Sequence, residues 1–137
     1  MTVIVCVDDR GGMTFNRRRQ SQDRVVRERV IALAQGRKLR MNSYSAGQFK
    51  EETYPELYAE EDFLEKGEAG DVCFVENIPL LPYEGKLKKV IVFKWNRVYP
   101  SDQKLDLSLE NGRWHQKEVE EFAGYSHEKI TMEVYTK

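Results

Sequence analysis

The stretch KKVIVFKWNRVYP, residues 88–100, decides the fold because it joins an unbroken apolar run to a polar turn. The run Lys89–Lys94 is typical of a strand that is buried on both faces at the centre of a sheet. Arg97 then looks like the start of a helix or a turn. Between a strand and a helix, α/β folds often place glycines that let the backbone approach a phosphate. Lys94, Trp95 and Asn96 stand there instead, so the stretch predicts a cofactor turn that has lost its glycines.

The rest of the chain repeats this alternation of strands and helices and then changes to strands alone. We predict strands at Thr2–Val7, Lys38–Asn42, Asp71–Glu76, Lys89–Lys94, Lys104–Leu109, Trp114–Phe122 and Lys129–Tyr135. We predict helices from an N-cap at Ser21 to Gln35, at Ser45–Lys50 and at Tyr58–Lys66. A β-α-β-α order followed by three strands predicts an α/β sheet that is parallel at first and antiparallel near the C-terminus.

Length and cysteine usage limit the classes of protein that need to be considered. A chain of 137 residues suits a single domain, 1–137. Cys6 and Cys73 each lie in an apolar run without a second nearby cysteine, so we expect reduced thiols in the core and no zinc or redox motif. His115 and His127 have no metal-ligand spacing, and we predict no metal site, with His127 on the surface at a turn. No apolar stretch reaches the ~18 residues of a membrane span and no signal peptide is recognisable, so we expect a cytoplasmic protein with no membrane partner.

The charges are strongly segregated along the chain. The segment from Arg10 to Arg40 has ten basic residues opposed only by Asp23 and Glu28, whereas the segment from Glu51 to Glu76 has ten acidic residues and one lysine. Such asymmetry indicates either an anionic ligand near the basic segment or neutralisation of one segment by the other, across the fold or across a dimer.

Several motifs, taken in order, resemble dihydrofolate reductase. The motifs are DDRGGMTFN (8–16), RVVRERVIALAQGRKLRMNSYSAGQF (24–49), VIVFKWNRVY (90–99), KLDLSL (104–109), GRWHQKEVEEF (112–122) and SHEKITMEVY (126–135). They look like that family's first strand and active-site loop, first helix and second strand, cofactor turn, and last three strands. The resemblance covers most of the chain except Glu51–Gly70. It implies a dihydrofolate reductase-like three-layer fold with a central, mostly parallel sheet and antiparallel C-terminal strands.

The resemblance also implies a substrate site. Asp23 falls at the acidic residue that binds the pterin and supports proton delivery, and Ser108 falls at the threonine that supports this carboxylate. Phe15 lies in the active-site loop, and Arg24 and Arg27 replace apolar residues of the substrate pocket. From the residues alone, Asp23 is equally well explained as a first-turn carboxylate stabilised by the helix dipole or paired with Arg27.

NADPH is the cofactor that the resemblance implies, but its binding motifs are altered. The family's Gly-Arg-x-Thr motif falls on Asn42-Ser43-Tyr44-Ser45, where the hydroxyl of Ser45 remains and the arginine is absent. Its paired glycines fall within Lys94, Trp95 and Asn96, before Arg97. A Trp95 ring there would project into the cofactor cleft or force the turn to rearrange. We therefore do not expect ordinary NADPH-dependent folate reduction.

Three functions are consistent with these residues. The first is binding of a small heterocyclic or phosphorylated ligand in the ancestral cleft, with Tyr44 and Trp95 as an aromatic wall and arginines as an anion clamp. The second is an oxidoreductase acting on a pterin- or flavin-like substrate with altered nucleotide binding. The third is an RNA-binding domain that uses the loop Arg17–Arg19, although a pI of about 6.2 argues against general nucleic-acid binding. Exposed aromatics in the acidic segment, such as Tyr54, Tyr58 and Phe63, also favour a homodimer.

Overall fold

The strand at the centre of the sheet is β1, Thr2–Val7, which pairs in parallel with one strand on each side. The computed structural model describes residues Met1–Lys137. The other strands of the main sheet are β4 (Leu39–Met41), β5 (Leu57–Ala59), β6 (Val72–Phe74), β7 (Lys89–Lys94), β9 (His115–Phe122) and β10 (Ile130–Thr136). Their order is β5-β4-β6-β1-β7-β10-β9, and only the pairs β7-β10 and β10-β9 are antiparallel. The predicted parallel sheet with antiparallel C-terminal strands is confirmed.

Alternate residues of β1 enter two separate hydrophobic cores, one on each face of the sheet. Val3, Val5 and Val7 face one core, which the segment around Leu107 and Trp114 covers. Ile4 faces the other core, beneath the first helix. Because both faces are covered, the central strands are continuous apolar runs, as the sequence indicated.

Helix α1, Arg24–Leu33, starts later than predicted because Asp23, and not Ser21, is its N-cap. The Asp23 backbone is extended, and its Oδ1 accepts a hydrogen bond from the backbone N–H of Val25 at 2.9 Å. Helix α2 starts earlier than predicted, at Ser43–Ala46, because Asn42 caps it through the N–H of Ser45 at 3.0 Å. A 3₁₀ turn, Gly47–Phe49, continues α2.

Two segments after Glu51 differ from the sequence prediction. The predicted helix Tyr58–Lys66 is divided between β5, which pairs with β4, and a single helical turn α3, Phe63–Lys66. Of the two alternatives predicted at Arg97, a helix or a turn, the structure has no helix, and Asn96 and Arg97 lie in a bend of the chain. The predicted strand Lys104–Leu109 is wrong beyond its first residue. There the Asp106 carboxylate accepts hydrogen bonds at 2.9 and 3.1 Å from the N–H groups of Leu80 and Leu81, at the start of the 3₁₀ helix Leu81–Lys86.

A small second sheet stands over the carboxyl end of β1. It consists of β2 (Gly12–Phe15), β3 (Arg18–Arg19) and β8 (Gln103–Lys104), with β2 in the middle. A two-residue turn, Asn16-Arg17, joins β2 to β3 with φ values of 51° and 63°. Positive φ at both residues is what a tight hairpin turn of right-handed twist requires. The basic loop Arg17–Arg19 is therefore part of a hairpin.

The segregated charges neutralise each other within the chain at three places. Arg19 pairs with Glu76 at 2.8 Å, Arg27 with Glu52 at 3.3 Å, and Arg40 with Asp71 at 2.7 Å. Each pair joins the basic segment to the acidic one, so the prediction of neutralisation across the fold is confirmed. None of the helices is both long and apolar enough to cross a membrane.

Candidate ligand site

The crevice between β1 and β6 is the position at which an open α/β sheet of this topology binds ligands. The chain leaves β1 towards α1 on one face of the sheet, and it leaves β6 towards the 3₁₀ helix Leu81–Lys86 on the other face. Ligands bind beyond the carboxyl ends of strands at such a switch point. The residues that follow the two strands are Asp8 after β1 and Glu76 and Asn77 after β6.

Side chains of the protein itself already occupy this crevice. The guanidinium of Arg19 donates two hydrogen bonds to the carboxylate of Glu76, at 2.8 and 3.0 Å. The same guanidinium lies 4.3 Å from the centre of the Tyr44 ring, and the N–H of Arg19 donates to the Tyr44 hydroxyl at 2.8 Å. We call these three residues the Arg19 cluster. A bidentate arginine that also stacks on an aromatic ring is held in one geometry.

Asp8 fixes the base of the hairpin above the crevice. Burial alone would raise its pKa, but hydrogen bonds from the N–H groups of Gly12, Tyr99 and Arg10 outweigh burial and lower the pKa of Asp8. The Gln20 amide also donates to Asp8 at 3.1 Å. The hairpin is therefore tied to the end of β1 by a charged, nearly fully buried carboxylate.

The carboxylate of Asp23 is also fully occupied. Its Oδ1 accepts from the N–H groups of Val25 and Tyr125 at 2.9 and 3.0 Å. Its Oδ2 accepts from the N–H and hydroxyl of Ser126 at 2.9 and 3.1 Å, and it lies 2.8 Å from Nδ1 of His127. Burial opposes ionisation, yet the hydrogen bonds from Tyr125, His127, Ser126 and Val25 hold the pKa of Asp23 far below its ordinary value. A hydrogen-bonded carboxylate of this kind stays charged.

His127 fills the space between Asp23 and Trp95, and the prediction that it lies on the surface is wrong. It is 6% exposed, and its ring stacks on Trp95 with centroids 4.6 Å apart and planes inclined by 24°. The absence of a side chain at Gly124 lets the loop between β9 and β10 lie against Asp23, because a Cβ at this position would be only 2.7 Å from Oδ2 of Asp23. Sequence reasoning missed the pair because 104 positions separate the two residues.

The predicted support of Asp23 by Ser108 does not occur, since the two residues lie on opposite faces of the sheet. Ser108 borders a cavity of about 450 Å³ with Val7, Val92 and Leu107, which belong to the core on the far side from α1. His127 and Ser126 support the carboxylate instead.

The residues predicted to form the cofactor turn lie at the end of β7, away from the β1–β6 crevice. Lys94 pairs with Glu133 at 3.2 Å, and Asn96, with φ 59°, donates to the hydroxyl of Thr131 at 2.9 Å. Trp95 is 3% exposed and packs in the core beneath α1, so it does not project into a cofactor cleft. With Arg97 it borders a surface cavity of about 690 Å³ whose other charged residues are Glu121, Glu128 and Lys129.

A cleft of about 310 Å³ remains open between α1 and α2. Its lining is mostly polar and basic: Arg19, Gln22, Arg27, Tyr44, Gly47, Gln48, Lys50 and Glu51. Arg27 donates to Glu52 at 3.3 Å and to the amide oxygen of Gln22 at 3.3 Å. Lys50 is exposed and forms no ion pair. We refer to this cavity as the α1–α2 cleft.

The other predicted site residues are dispersed around these features. Ser43 is exposed, and its N–H donates to Glu61 at 2.9 Å. Ser45 is fully buried, and its hydroxyl oxygen has no hydrogen-bond partner. Arg24 lies outside the cleft, 3.6 Å from Glu28. Phe15 is 41% exposed on the hairpin and borders a separate cavity of about 490 Å³. No group of three or more His, Cys, Asp or Glu side chains is arranged to hold a metal ion.

The strand order, the α1 and α2 positions and the antiparallel C-terminal strands define a dihydrofolate reductase-like fold. The structure is similar to that of dihydrofolate reductase from Enterococcus faecalis complexed with NADP(H) and RAB-propyl, with a TM-score of 0.67. The alignment covers 98% of this chain and 94% of that one at 7% sequence identity, so the similarity shows the fold. No family model matches the sequence, and no curated protein matches it either.

Proposed function

We propose that this chain uses a dihydrofolate reductase-like fold to bind a small anionic heterocyclic ligand, such as a phosphorylated one, in the α1–α2 cleft, without NADPH-dependent reduction. The observation that carries the proposal is the position of Arg19, whose guanidinium lies between Tyr44 and Glu76 at the switch point of the sheet. The pair with Glu76 thereby closes the crevice between β1 and β6, whereas the α1–α2 cleft beside it stays open.

The closed crevice argues against a dinucleotide. A pyrophosphate needs free backbone N–H groups at the end of a strand and room for close approach. Here Glu76 brings a negative charge to the end of β6, and Arg19, the nearest cation, is already neutralised by it. A dinucleotide would have to break this pair and leave the carboxylate of Glu76, whose side chain is 7% exposed, without its cation.

The occupied carboxylate of Asp23 argues against pterin reduction. A carboxylate binds an amino-heterocycle by accepting two hydrogen bonds from it. Both oxygens of Asp23 already accept hydrogen bonds from the protein, including three from backbone N–H groups. The oxidoreductase hypothesis would require the loop at Tyr125 to move away from helix α1.

The charge of the α1–α2 cleft favours an anion. Of its three basic lining residues, Arg19 is neutralised by Glu76, so Arg27 and Lys50 are the cations that face an incoming anion, beside the single acidic lining residue Glu51. Lys50 has no carboxylate partner, and Arg27 shares its guanidinium between Glu52 and Gln22, so a phosphate or carboxylate can take the place of Glu52. Amide groups of Gln22 and Gln48 at the same cleft supply both donors and acceptors, which suits a heterocycle.

Titration calorimetry on the full chain tests the proposal with NADPH, inorganic phosphate and adenosine 5′-monophosphate as probes. We expect adenosine 5′-monophosphate to bind more tightly than phosphate, with an affinity that falls as salt rises. NADPH is expected to give no turnover with dihydrofolate when absorbance of the reduced nicotinamide is followed. Saturable NADPH binding with turnover would overturn the proposal, as would equal failure of both phosphate probes to bind.

Two glycines provide a matched pair of variants. A Cβ at Gly47, on the wall of the cleft, would meet nothing within 4 Å, and the same is true at Gly85 in the 3₁₀ helix Leu81–Lys86. Gly47→Leu is therefore expected to fill the cleft and to weaken probe binding about tenfold or more, whereas Gly85→Leu leaves it unchanged. Equal affinities in the two variants would place the ligand elsewhere.

A further inference from the structure

A linear array of serine, histidine and aspartate lies beside the N-terminus of α1, outside the α1–α2 cleft. The hydroxyl oxygen of Ser21 is 2.8 Å from Nε2 of His127, and Nδ1 of His127 is 2.8 Å from Oδ2 of Asp23. This connectivity, with the hydroxyl on one ring nitrogen and the carboxylate on the other, is the arrangement that activates a serine in acyl transfer.

The surroundings of Asp23 determine the tautomer of His127. The carboxylate is an acceptor, and its other partners, the N–H groups of Val25, Tyr125 and Ser126 among them, are donors. Nδ1 of His127 must therefore carry a hydrogen to bond Oδ2. In the neutral ring Nε2 is then the acceptor, and it faces the Ser21 hydroxyl, which is the direction a general base requires.

The array is also held rigidly, because stacking on Trp95 fixes the plane of the imidazole at 4.6 Å. Gly124 approaches Asp23 so closely that the loop between β9 and β10 has no space to move nearer to the carboxylate. A base and its orienting carboxylate that are fixed in this way need no rearrangement before proton transfer.

Solvent reaches the serine but hardly reaches the histidine. His127 is 6% exposed, whereas Ser21 is partly exposed. Its neighbours in sequence open onto two cavities: Gln20 borders the one of about 490 Å³ together with Phe15 and Tyr99, and Gln22 borders one of about 380 Å³ on the other side. Ser21 therefore stands between residues that line two surface cavities, and a small electrophile is expected to reach its hydroxyl from one of them.

We propose that Ser21 is a nucleophile that accepts the acyl group of a small ester, with His127 as its base and Asp23 as the residue that positions the base. A bond forms between Oγ of Ser21 and the carbonyl carbon while the hydroxyl proton passes to Nε2 of His127. The bond from that carbon to the alcohol oxygen then breaks, and the alcohol leaves with the proton from Nε2. Water repeats the two steps on the acyl-serine, releasing the acid and restoring the hydroxyl.

The chemistry of the neighbouring cavity indicates the class of ester. Phe15, Tyr99 and Pro100 offer apolar surface, and Arg18 offers a cation that has no carboxylate partner. Short-chain and aryl esters fit this surface, and an acid product would leave towards the cation.

Labelling of the full-length protein with a fluorophosphonate, followed by mass spectrometry of its peptides, tests the proposal. We expect one covalent adduct, on Ser21, and slow hydrolysis of p-nitrophenyl acetate. Ser21→Ala is expected to abolish both, and His127→Gln to slow labelling of Ser21 about a hundredfold or more. Ser43→Ala, which removes an exposed serine of α2, is the control and should label at the rate of the unaltered chain.

Two further measurements keep the result interpretable if a variant is unstable. Ser21→Cys retains a small side chain, and its thiol should react with iodoacetamide faster in the folded chain than after denaturation. In Asp23→Asn, the ¹⁵N shifts of His127 should report movement of the ring hydrogen from Nδ1 to Nε2, which a merely structural role would not predict. Absence of any adduct on Ser21 in the folded chain, or an unchanged rate in His127→Gln, would overturn the proposal. Neither readout depends on the α1–α2 cleft.

Discussion

Nδ1 of His127 lies 2.8 Å from Oδ2 of Asp23, and this contact joins the loop between β9 and β10 to the N-terminus of α1. With the stacking of His127 on Trp95, it fills the space between Asp23 and Trp95. The carboxylate accepts hydrogen bonds from two chain segments, one at Val25 and one at Tyr125–His127, so its ionisation is linked to the packing of the helix against the sheet.

The pH dependence of stability should reveal the charge on Asp23. Its pKa is lower in the folded chain than in the unfolded chain, where aspartate titrates near 3.9. Its contribution is therefore fully present above about pH 5, begins to fall near the unfolded pKa and is lost as the pH falls through the folded pKa. We expect Asp23→Asn to cost roughly 3 kcal/mol of unfolding free energy at pH 7 and less as the pH approaches 2.

Urea unfolding of both proteins between pH 7 and pH 2 measures this difference. Asp9→Asn is a suitable control, because Asp9 is exposed. A cost that stays constant over the whole range would show that Asp23 contributes through its shape and not through its charge.

Because Gly124 lies so close to Asp23, we expect the addition of one methyl group at position 124 to lower the stability of the fold. A Cβ at Gly124 would lie 2.7 Å from Oδ2 of Asp23 and 2.8 Å from Cδ1 of Ile130. We expect Gly124→Ala to lower the free energy of unfolding by about 1–3 kcal/mol, as overpacking does in other cores. Gly85→Ala, at a position with nothing within 4 Å, should change thermal and urea stability little, and equal stability of the two variants would contradict the described loop position.

The Arg19 cluster should stabilise the hairpin far more than its neighbour Arg18 does. Arg19 makes a bidentate bond to Glu76, whose side chain is 7% exposed, whereas Arg18 is exposed and forms no ion pair. Arg19→Ala leaves a buried carboxylate without its cation and is expected to cost about 3 kcal/mol. Arg18→Ala is expected to cost less than about 0.5 kcal/mol. Chemical denaturation of the two variants compares them directly, and similar costs would mean that the crevice is not closed as described.

The fold could be predicted from sequence because its signals are local and strong. Thr2–Val7 and Lys89–Lys94 are rich in β-branched residues, and both are central strands of the sheet. Gly36 marks the end of the first helical segment, and its φ of 79° in the structure is the conformation that favours glycine there. The strand predicted at Lys104–Leu109 from the alternation of its leucines failed, and in the structure the carboxylate of Asp106 accepts hydrogen bonds from the N–H groups of Leu80 and Leu81.

The site could be predicted only in part, because its contacts join distant segments. Asp23 was correctly singled out as a residue of interest, but nothing near it in the sequence indicates that His127 supplies its partner. Similarly, Arg19 appeared as one of three adjacent arginines, and only the fold shows that it turns inward to Glu76 while Arg18 stays exposed. A sequence pattern contains residue types and their spacing, whereas the partner of a charged group depends on tertiary packing.

Trp95 gives the sharpest contrast between the sequence-based expectation and the structure. If the indole blocked a cofactor cleft, Trp95→Gly would restore NADPH binding. In the structure Trp95 is 3% exposed, packs in the core beneath α1 and stacks on His127. We therefore expect Trp95→Gly to lower the unfolding free energy by about 3–5 kcal/mol through loss of buried aromatic surface, with no gain in NADPH affinity.

Calorimetry with NADPH checks the prediction, at a temperature where circular dichroism shows the variant to be folded. Trp95→Phe serves as a milder variant that keeps an aromatic ring stacked on His127. A Trp95→Gly protein that is as stable as the unaltered chain and binds NADPH would show that the indole occupies nucleotide space, and that the closed crevice at Arg19 is not what excludes the cofactor.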